Sequence, residues 1–306
     1  MSETLSPAGS RAVAPFGRML TAMVTPMTAE GAVDYQGAAR LAEFLVTEMR
    51  NDGLIISGTT GESPTTSDAE KARLLSTVLE AVGDQATIVA GVGTNDTAHS
   101  CELARAAEQA GAHGLLVVTP YYNKPPQSGL VAHFTQVADA TGLPNMLYDI
   151  PGRTGTPIAA ETLIQLAEHP QIVAVKDAKA DFAAASHVLN CTSLVFYSGD
   201  DMLNLPWLSL GAAGFVSVAG HVVGDRLHEM IDAYQAGQVA DALRLHRELL
   251  PVYVGLFRNQ GVIMTKAALG LLGLPGGPVR LPLSNATAAE TDRLRTDLAA
   301  AGFKLK

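Results

Sequence analysis

The sequence contains very little cysteine: Cys101 and Cys191 are the only two in 306 residues. So sparse a pair cannot form a disulfide framework, and it fits the reducing environment of a cytoplasm. We expect a cytoplasmic protein in which both cysteines are buried free thiols, the usual state of unpaired cysteine.

Long apolar runs and positive charge are also scarce. No apolar segment approaches the roughly 18 residues that suggest a membrane span. Residues 1–15 lack the apolar core of a secretory signal and are expected to form a flexible tail. The formal net charge of −9 argues against nucleic acid or an anionic membrane as a partner. Small-molecule substrates are the expected partners, and an anionic one would require local positive charge.

Several motifs of cofactor chemistry are absent. The eight histidines are scattered, without HExxH or a Cys/His cluster, so we expect no metal. There is no phosphate-binding GxxxxGK[ST] and no GxSxG nucleophile elbow. The stretch GVGTND (91–96) has Asp96 where a dinucleotide-binding motif has its third glycine. These absences exclude the commonest nucleotide, metal and serine-hydrolase sites.

The sequence does contain eight short apolar runs that alternate with segments of helical period. Runs that are apolar at both odd and even positions are typical of strands covered by helices on both faces. The predicted strands are 19–24, 53–57, 87–91, 114–118, 145–149, 172–176, 194–198 and 214–218. The predicted helices include 35–50, 67–82, 97–110, 128–141 and 159–168. This alternation predicts a (β/α)8 TIM barrel over residues 16–237, with an open doubly wound sheet as the alternative.

From residue 238 the alternation stops. Helical patterns cover 238–258, 261–272 and 286–301, interrupted by the turn-rich LPGGP (274–278). We therefore predict a helical C-terminal domain over residues 238–306, packed on the barrel.

A lysine ends the sixth predicted strand, in IVAVK (172–176). One interpretation is structural: Lys176 reaches water or pairs with Asp177 or Asp200. The other is chemical, because burial disfavours the ammonium form and leaves a free amine near neutral pH. Such an amine attacks a ketone to form a Schiff base, which then withdraws electrons from the neighbouring carbon.

Further polar residues follow other strands at the carboxyl end of the predicted barrel, where active sites of this fold lie. Tyr148 could transfer protons, or be a core tyrosine. Thr59 and Thr60, in GTTGES (58–63), could offer hydroxyl and backbone N–H groups to a carboxylate, or form only a tight turn. Arg153 could bind a carboxylate through two hydrogen bonds, or form a surface ion pair.

Two more motifs have structural interpretations. SGDD (198–201) is predicted to cap the next helix through Asp200 or Asp201. TPYYNKPP (119–126) places two tyrosines in a proline-stiffened loop, for which packing or an interface is the simplest role.

GTTGES, TPYYNKPP, YDIPGRTG, VKDA and SGDD, in this order and spacing, resemble the dihydrodipicolinate synthase family. The resemblance extends from about residue 16 to the C-terminal helices. That family belongs to the pyruvate-dependent class I aldolases, which also include N-acetylneuraminate lyase. The resemblance implies condensation of pyruvate with L-aspartate-4-semialdehyde to 4-hydroxy-tetrahydrodipicolinate, on the diaminopimelate route to lysine.

The resemblance also implies catalytic roles. Lys176 would form the Schiff base with pyruvate, so no separate cofactor is expected. Tyr148 would donate and accept protons, linked through Thr59 to Tyr122. Tyr122 would come from a neighbouring subunit of a homotetramer built from tight dimers.

Substrate-binding roles are implied for four further positions. Thr60 and the backbone at Val216 would hold the pyruvate part, with Gly199 nearby. Arg153 would bind the carboxylate of the semialdehyde.

Two other functions remain open. An aldolase acting on sialic acid or a 2-keto-3-deoxy sugar acid would share Lys176 and Tyr148, but Arg153 favours the synthase because the sialic-acid enzymes lack arginine at this place. A non-catalytic keto-acid-binding regulator would be expected to have lost part of the Lys–Tyr–Thr set, and no loss is visible.

Many synthases of this family are inhibited by lysine bound at the dimer interface. The positions that match that pocket are Thr66, Asp68, Lys71, Asn95, His99 and Tyr121. His99 stands where lysine-sensitive members carry a glutamate that pairs with the ligand's ammonium group, and Lys71 would repel that group. We predict weak or absent inhibition by lysine.

Overall fold

In the computed structural model, which describes residues 14–303, eight parallel strands close into a barrel. Each strand pairs with the next along the chain, and the eighth closes on the first. The strands are β1 Met19–Ala22, β2 Gly53–Ile56, β3 Thr87–Gly91, β4 Gly114–Val118, β5 Asn145–Asp149, β6 Ile172–Asp177, β7 Val195–Ser198 and β8 Gly214–Ser217. The predicted TIM barrel is confirmed, and the doubly wound alternative is wrong. The predicted tail, residues 1–15, lies almost entirely outside the described residues.

Helices cover the outside of the barrel. They are α1 Tyr35–Thr47, α2 Asp68–Val82, α3 Thr97–Ala110, α4 Gln127–Asp139, α5 Pro151–Thr154, α6 Ala160–Leu166, α7 Phe182–Cys191, α8 Asn204–Ser209 and α9 Gly220–Gln235. The helix predicted over 97–110 has the predicted bounds, whereas the one predicted over 35–50 ends at Thr47. The single-turn α5 was not predicted, since four residues are too few to show a period.

The strands separate two apolar layers. Alternate residues, such as Ile55 on β2 and Met146 on β5, fill the barrel interior. Their neighbours Ile56 and Leu147 pack outward against the helices. Because successive strand residues point to opposite faces, a strand buried on both faces has the continuous apolar sequence seen here.

Asp96, which breaks the dinucleotide-binding pattern, has a local structural role. It is the N-cap of α3, and its carboxylate accepts a hydrogen bond from Ala98 N at 2.9 Å. The residue thus satisfies a free backbone N–H at the start of a helix.

The three predicted C-terminal helices are present: α10 Val239–Leu256, α11 Gly261–Leu271 and α12 Ala288–Ala300. α10 packs against α9 of the barrel and against α12. Leu249 and Leu294 belong to the same apolar core as Leu227 of α9. A single apolar core thus contains residues from both sides of residue 238. The predicted domain boundary at that residue stays a prediction.

The cysteine prediction is half wrong. Cys101 is buried, but Cys191 is exposed. Cys191 is the last residue of α7. The buried residues of this helix, Ala185 and Val188, come before it, and the C-terminal end of the helix is exposed to solvent. Among residues 14–303, no helix is long and apolar enough to cross a membrane.

Candidate active site

Lys176 and Tyr148 occupy paired positions on β6 and β5. Matching register in neighbouring parallel strands directs both side chains to the same face, here the barrel interior. Lys176 is only 4% exposed and Tyr148 only 5%. The Lys176 Nζ lies 4.1 Å from the centre of the Tyr148 ring. The structure thus brings the predicted amine and the predicted proton donor into contact.

Neither of the acids considered as partners forms an ion pair with Lys176 among the described residues. The Asp177 carboxylate accepts hydrogen bonds from Lys179 N at 2.9 Å and Ala180 N at 2.8 Å. The Asp200 carboxylate accepts from Met202 N at 3.0 Å. The interpretation of Lys176 as half of an interior salt bridge is therefore wrong.

Burial sets the acidity of both groups. It lowers the pKa of Lys176 to about 7; the Asp201 carboxylate opposes this shift and the Arg153 guanidinium adds to it. It raises the pKa of Tyr148 to about 12, opposed by Arg153 and reinforced by Asp200. Near neutral pH the amine is partly free while the phenol keeps its proton. A partly free amine and a protonated phenol therefore coexist in one site.

A cavity of about 200 Å³ opens at the carboxyl ends of the strands. Three of the residues predicted for the site, Thr59, Tyr148 and Arg153, line it together. Tyr121, for which only a packing or interface role and a place in the lysine pocket were predicted, lines it as well. Residues from three different strand-end loops thus converge on one space, as the barrel topology requires.

The loop that carries Thr59 and Thr60 is a tight turn after β2. Gly61 N donates to Gly58 O at 3.0 Å, and Glu62 N donates to Thr59 O at 3.1 Å. Thr60 is buried at 9% exposure. The turn interpretation and the binding interpretation of this motif are therefore compatible.

The loop that carries Arg153 is closed at its base. Both carboxylate oxygens of Asp149, at the end of β5, accept from Ile158 N at 3.2 Å. Lys179 Nζ lies 3.1 Å from Asp149 Oδ2 and also donates to Ile158 O at 2.8 Å. Between these anchors, α5 places Arg153 at the cavity wall.

Gly199 lies beside the lysine stem, and Val216 lies in the barrel interior. A Cβ atom at Gly199 would lie 3.0 Å from Lys176 Cγ and 2.9 Å from Asp177 O, so a larger residue would displace the lysine stem. Val216, on β8, is 1% exposed and belongs to the barrel interior. Their roles toward a substrate stay predictions.

Tyr122 stands apart from these residues in a single chain. Its side chain is 90% exposed, and its φ of 75° is unusual for a residue other than glycine. A role in catalysis would require a second subunit to receive it, and that role stays a prediction.

The inward position of one acid in SGDD was not predicted. Asp200 caps the turn after β7, as predicted for one of the two acids in SGDD, but Asp201 turns inward and is 2% exposed. Its carboxylate accepts from Val218 N at 3.0 Å, from Ala219 N at 2.8 Å and from the Ser217 hydroxyl. Asp201 thereby holds the end of β8. The signal available in the sequence was the second acid: one carboxylate is enough to cap the turn, so the adjacent carboxylate was free for another role.

A closed eight-stranded barrel with a buried lysine beside a tyrosine, and without an ion-pair partner for that lysine among residues 14–303, defines an enzyme of the class I aldolase type. The chain belongs to the dihydrodipicolinate synthetase family, whose sequence model matches residues 15–301.

Relatives of known sequence and structure agree with this assignment. The 4-hydroxy-tetrahydrodipicolinate synthase of Acidothermus cellulolyticus is 69% identical, over 95% of this chain and 94% of its own length. A second synthase, from Streptomyces coelicolor, is 65% identical, over 95% of this chain and 97% of its own length. The crystal structure of the Cyanidioschyzon merolae enzyme with lysine bound has a TM-score of 0.92 at 44% identity, covering 94% of this chain and 99% of that one.

Proposed function

We propose that this protein condenses pyruvate with L-aspartate-4-semialdehyde to give 4-hydroxy-tetrahydrodipicolinate and water. The observation that carries this proposal is the state of Lys176: buried, without an ion-pair partner among the described residues, and with a pKa lowered to about 7 by burial. A lysine of this kind is a nucleophile for ketones. The product is the one that the names of the relatives from A. cellulolyticus and S. coelicolor state for those proteins.

The chemistry starts at the Lys176 amine. The amine adds to the ketone carbon of pyruvate and, with loss of water, gives an imine. The imine withdraws electrons, so that the pyruvate methyl group loses a proton and becomes an enamine carbon. That carbon attacks the aldehyde of the second substrate, and the resulting alkoxide takes up a proton. The substrate's own amine then displaces Lys176 from the imine carbon, which closes the ring and frees the enzyme without any external cofactor.

Tyr148 is the proposed proton donor and acceptor in these steps. Its phenol lines the cavity and holds its proton at neutral pH. Thr59, on the same cavity wall, would relay protons between Tyr148 and Tyr122 of a neighbouring subunit. Because Tyr122 is exposed in the single chain, we propose that the enzyme acts as a homotetramer of tight dimers in which this tyrosine completes the site of another subunit.

The two substrates would be held by different groups. Thr60 and the backbone at Val216, with Gly199 beside the lysine stem, would hold the pyruvate part. Arg153 would bind the carboxylate of the semialdehyde, since a guanidinium presents two parallel N–H donors to such a group. Arg153 also supplies the local positive charge that an acidic protein needs for anionic substrates.

An assay of the purified protein with pyruvate and L-aspartate-4-semialdehyde, coupled to reduction of the product, tests the proposal. N-acetylneuraminate and 2-keto-3-deoxy-gluconate are run beside it as substrates for cleavage to pyruvate. We expect turnover with the semialdehyde and none with the sugar acids. Turnover with a sugar acid alone would show that the proposed substrate is wrong while leaving the Schiff-base chemistry in place.

A further inference from the structure

A buried ion pair lies just outside the reacting groups and has no part in the chemistry above. Lys266 Nζ, on α11, lies 2.5 Å from Glu62 Oε1, and the two side chains are 2% and 1% exposed. Burial lowers the pKa of Lys266, and the Glu62 carboxylate opposes that shift. Burying two charges costs free energy that the pair's attraction offsets only with good geometry and further hydrogen bonds. Such a pair is poor evidence for stability alone, so its position in the molecule matters.

The pair has those further hydrogen bonds, and all of them come from the C-terminal part of the chain. Glu62 Oε2 accepts from Arg280 N at 2.8 Å, and Lys266 Nζ also donates to Pro278 O at 2.7 Å. The Arg280 side chain continues the contact, donating to Thr65 O at 2.8 Å and to both carboxylate oxygens of Glu70. The segment after the GTTG turn is thus fastened at several points to α11 and the segment that follows it.

Glu62 is joined as closely to the catalytic turn. Its own N–H donates to Thr59 O at 3.1 Å. The preceding carbonyl, that of Gly61, accepts from the Thr25 hydroxyl at 2.6 Å. Glu62 has a φ of 57°, in the left-handed region that non-glycine residues enter rarely and keep only where their surroundings hold them. The buried carboxylate, fixed at both oxygens, connects this backbone to the C-terminal part of the chain.

We infer that Glu62, held by Lys266 and by the backbone of Arg280, is a positioning residue for the Thr59–Thr60 turn. The C-terminal helices therefore control the geometry of the active site, even though the residues of those helices do not line the cavity described above. The inference rests on the proposed function, because it assigns Thr59 a part in proton transfer. A displacement of about 1 Å of a catalytic group can cost about 10²-fold in rate. Anchoring this turn is thus a requirement of catalysis and not only of folding.

The test compares three single variants of the full-length protein and the double variant Glu62→Gln/Lys266→Met. Glu62→Gln removes the charge with little change in shape, and Lys266→Met removes its partner while keeping an apolar stem. Arg258→Met is the control for loosening of the C-terminal part: it breaks another, more exposed ion pair there, Arg258 Nη2 to Asp297 Oδ2 at 2.5 Å, which makes no hydrogen bond to the turn among the described residues. In each protein, the intact sites are counted by borohydride trapping with saturating pyruvate and intact mass, and turnover is expressed per trapped site.

We expect turnover per trapped site to fall about 10- to 100-fold in Glu62→Gln and Lys266→Met. KM for the semialdehyde should stay within about twofold, since Arg153 is untouched. The double variant should lose no more than the worse single variant, because the two residues act as one unit. Arg258→Met should keep wild-type turnover per trapped site.

Normal turnover per trapped site in both Glu62→Gln and Lys266→Met would overturn the inference, because the Glu62–Lys266 pair would then act on folding alone. An equal loss in Arg258→Met would also overturn it, since any loosening of the C-terminal part would have the same effect. If Glu62→Gln yields no trapped sites, Glu62→Asp, which keeps the charge but is one methylene shorter, is judged by the same criteria. Absence of a pyruvate adduct in the wild type would instead contradict the proposed function and is visible before any variant is made.

Discussion

Lys176 and Tyr148 face each other across neighbouring strands, with the lysine nitrogen 4.1 Å from the centre of the phenol ring. Contact with an aromatic face favours a cation, whereas burial disfavours one. Burial prevails here, since the pKa of Lys176 is lowered to about 7. The lysine is thus a free amine for much of the time at neutral pH, next to a group that can supply a proton.

The first prediction concerns the identity of the nucleophile. Borohydride should trap an adduct of pyruvate on the wild type, and Lys176→Ala should lose both the adduct and at least about 10³-fold in turnover. Lys176→Arg should fail equally, because a guanidinium stays protonated. Intact mass and peptide mapping measure the adduct. Trapping of pyruvate by the alanine variant would show that another lysine is the nucleophile.

The second prediction concerns pH. Because the neutral amine attacks, the rate of adduct formation at low pyruvate should rise as the pH rises through about 7 and then level off. The Arg153 charge contributes to lowering the pKa of Lys176. Its removal in Arg153→Met should therefore raise that pKa and move the midpoint to higher pH. Rapid mixing and quenching at each pH measures the rate, and an unmoved midpoint would show that Arg153 has no electrostatic effect on the lysine.

The third prediction concerns the division of labour between substrates. Arg153→Ala removes the proposed partner of the semialdehyde carboxylate, and a charged hydrogen bond of this kind is worth about 1.5–3 kcal/mol. KM for the semialdehyde should rise about 10- to 100-fold while formation of the pyruvate adduct above pH 8 is nearly unchanged. An equal loss of pyruvate binding would contradict the proposed clamp.

The fourth prediction concerns the proton donor. Tyr148→Phe keeps the ring that packs on Lys176 and removes only the hydroxyl. The value of kcat should fall about 10²- to 10⁴-fold, much more than either KM changes. Steady-state kinetics measure both. A fall in kcat of less than about tenfold would assign the proton transfer to another group.

The fifth prediction concerns inhibition by lysine. The Asp68 carboxylate could have replaced the glutamate that His99 displaces, but its oxygens already meet His99 Nε2 at 2.8 Å and Lys71 Nζ at 3.3 Å. A lysine bound at these positions would therefore have to compete with His99 and Lys71 for the Asp68 carboxylate. L-lysine should inhibit weakly or not at all, whereas His99→Glu, which adds a carboxylate, should become more sensitive. The C. merolae enzyme, whose structure contains bound lysine, is assayed beside it for comparison. Inhibition of the wild type at sub-millimolar lysine would contradict the prediction.

Much of the fold follows from local sequence patterns. Eight apolar runs and the intervening helical periods suffice for the barrel, because strand and helix periods are local properties. The position of Lys176 at the end of a buried run allowed a desolvated amine, but it equally allowed a lysine that reaches water or forms an ion pair. The common face of Thr59, Tyr148 and Arg153 followed from the topology, since the strand ends of a parallel barrel meet at one rim.

Other features depended on contacts between distant parts of the chain. Local sequence could not show which acid of SGDD turns inward, because the Asp201 carboxylate is held by residues of β8. The exposure of Cys191 depends on how far neighbouring elements cover the end of α7. Glu62 and Lys266 are 204 residues apart, and no pattern in either segment indicates the other. The sequence by itself determined the elements and the chemical groups, whereas only the tertiary structure decided their partners, because burial and pairing depend on the packing of the whole chain.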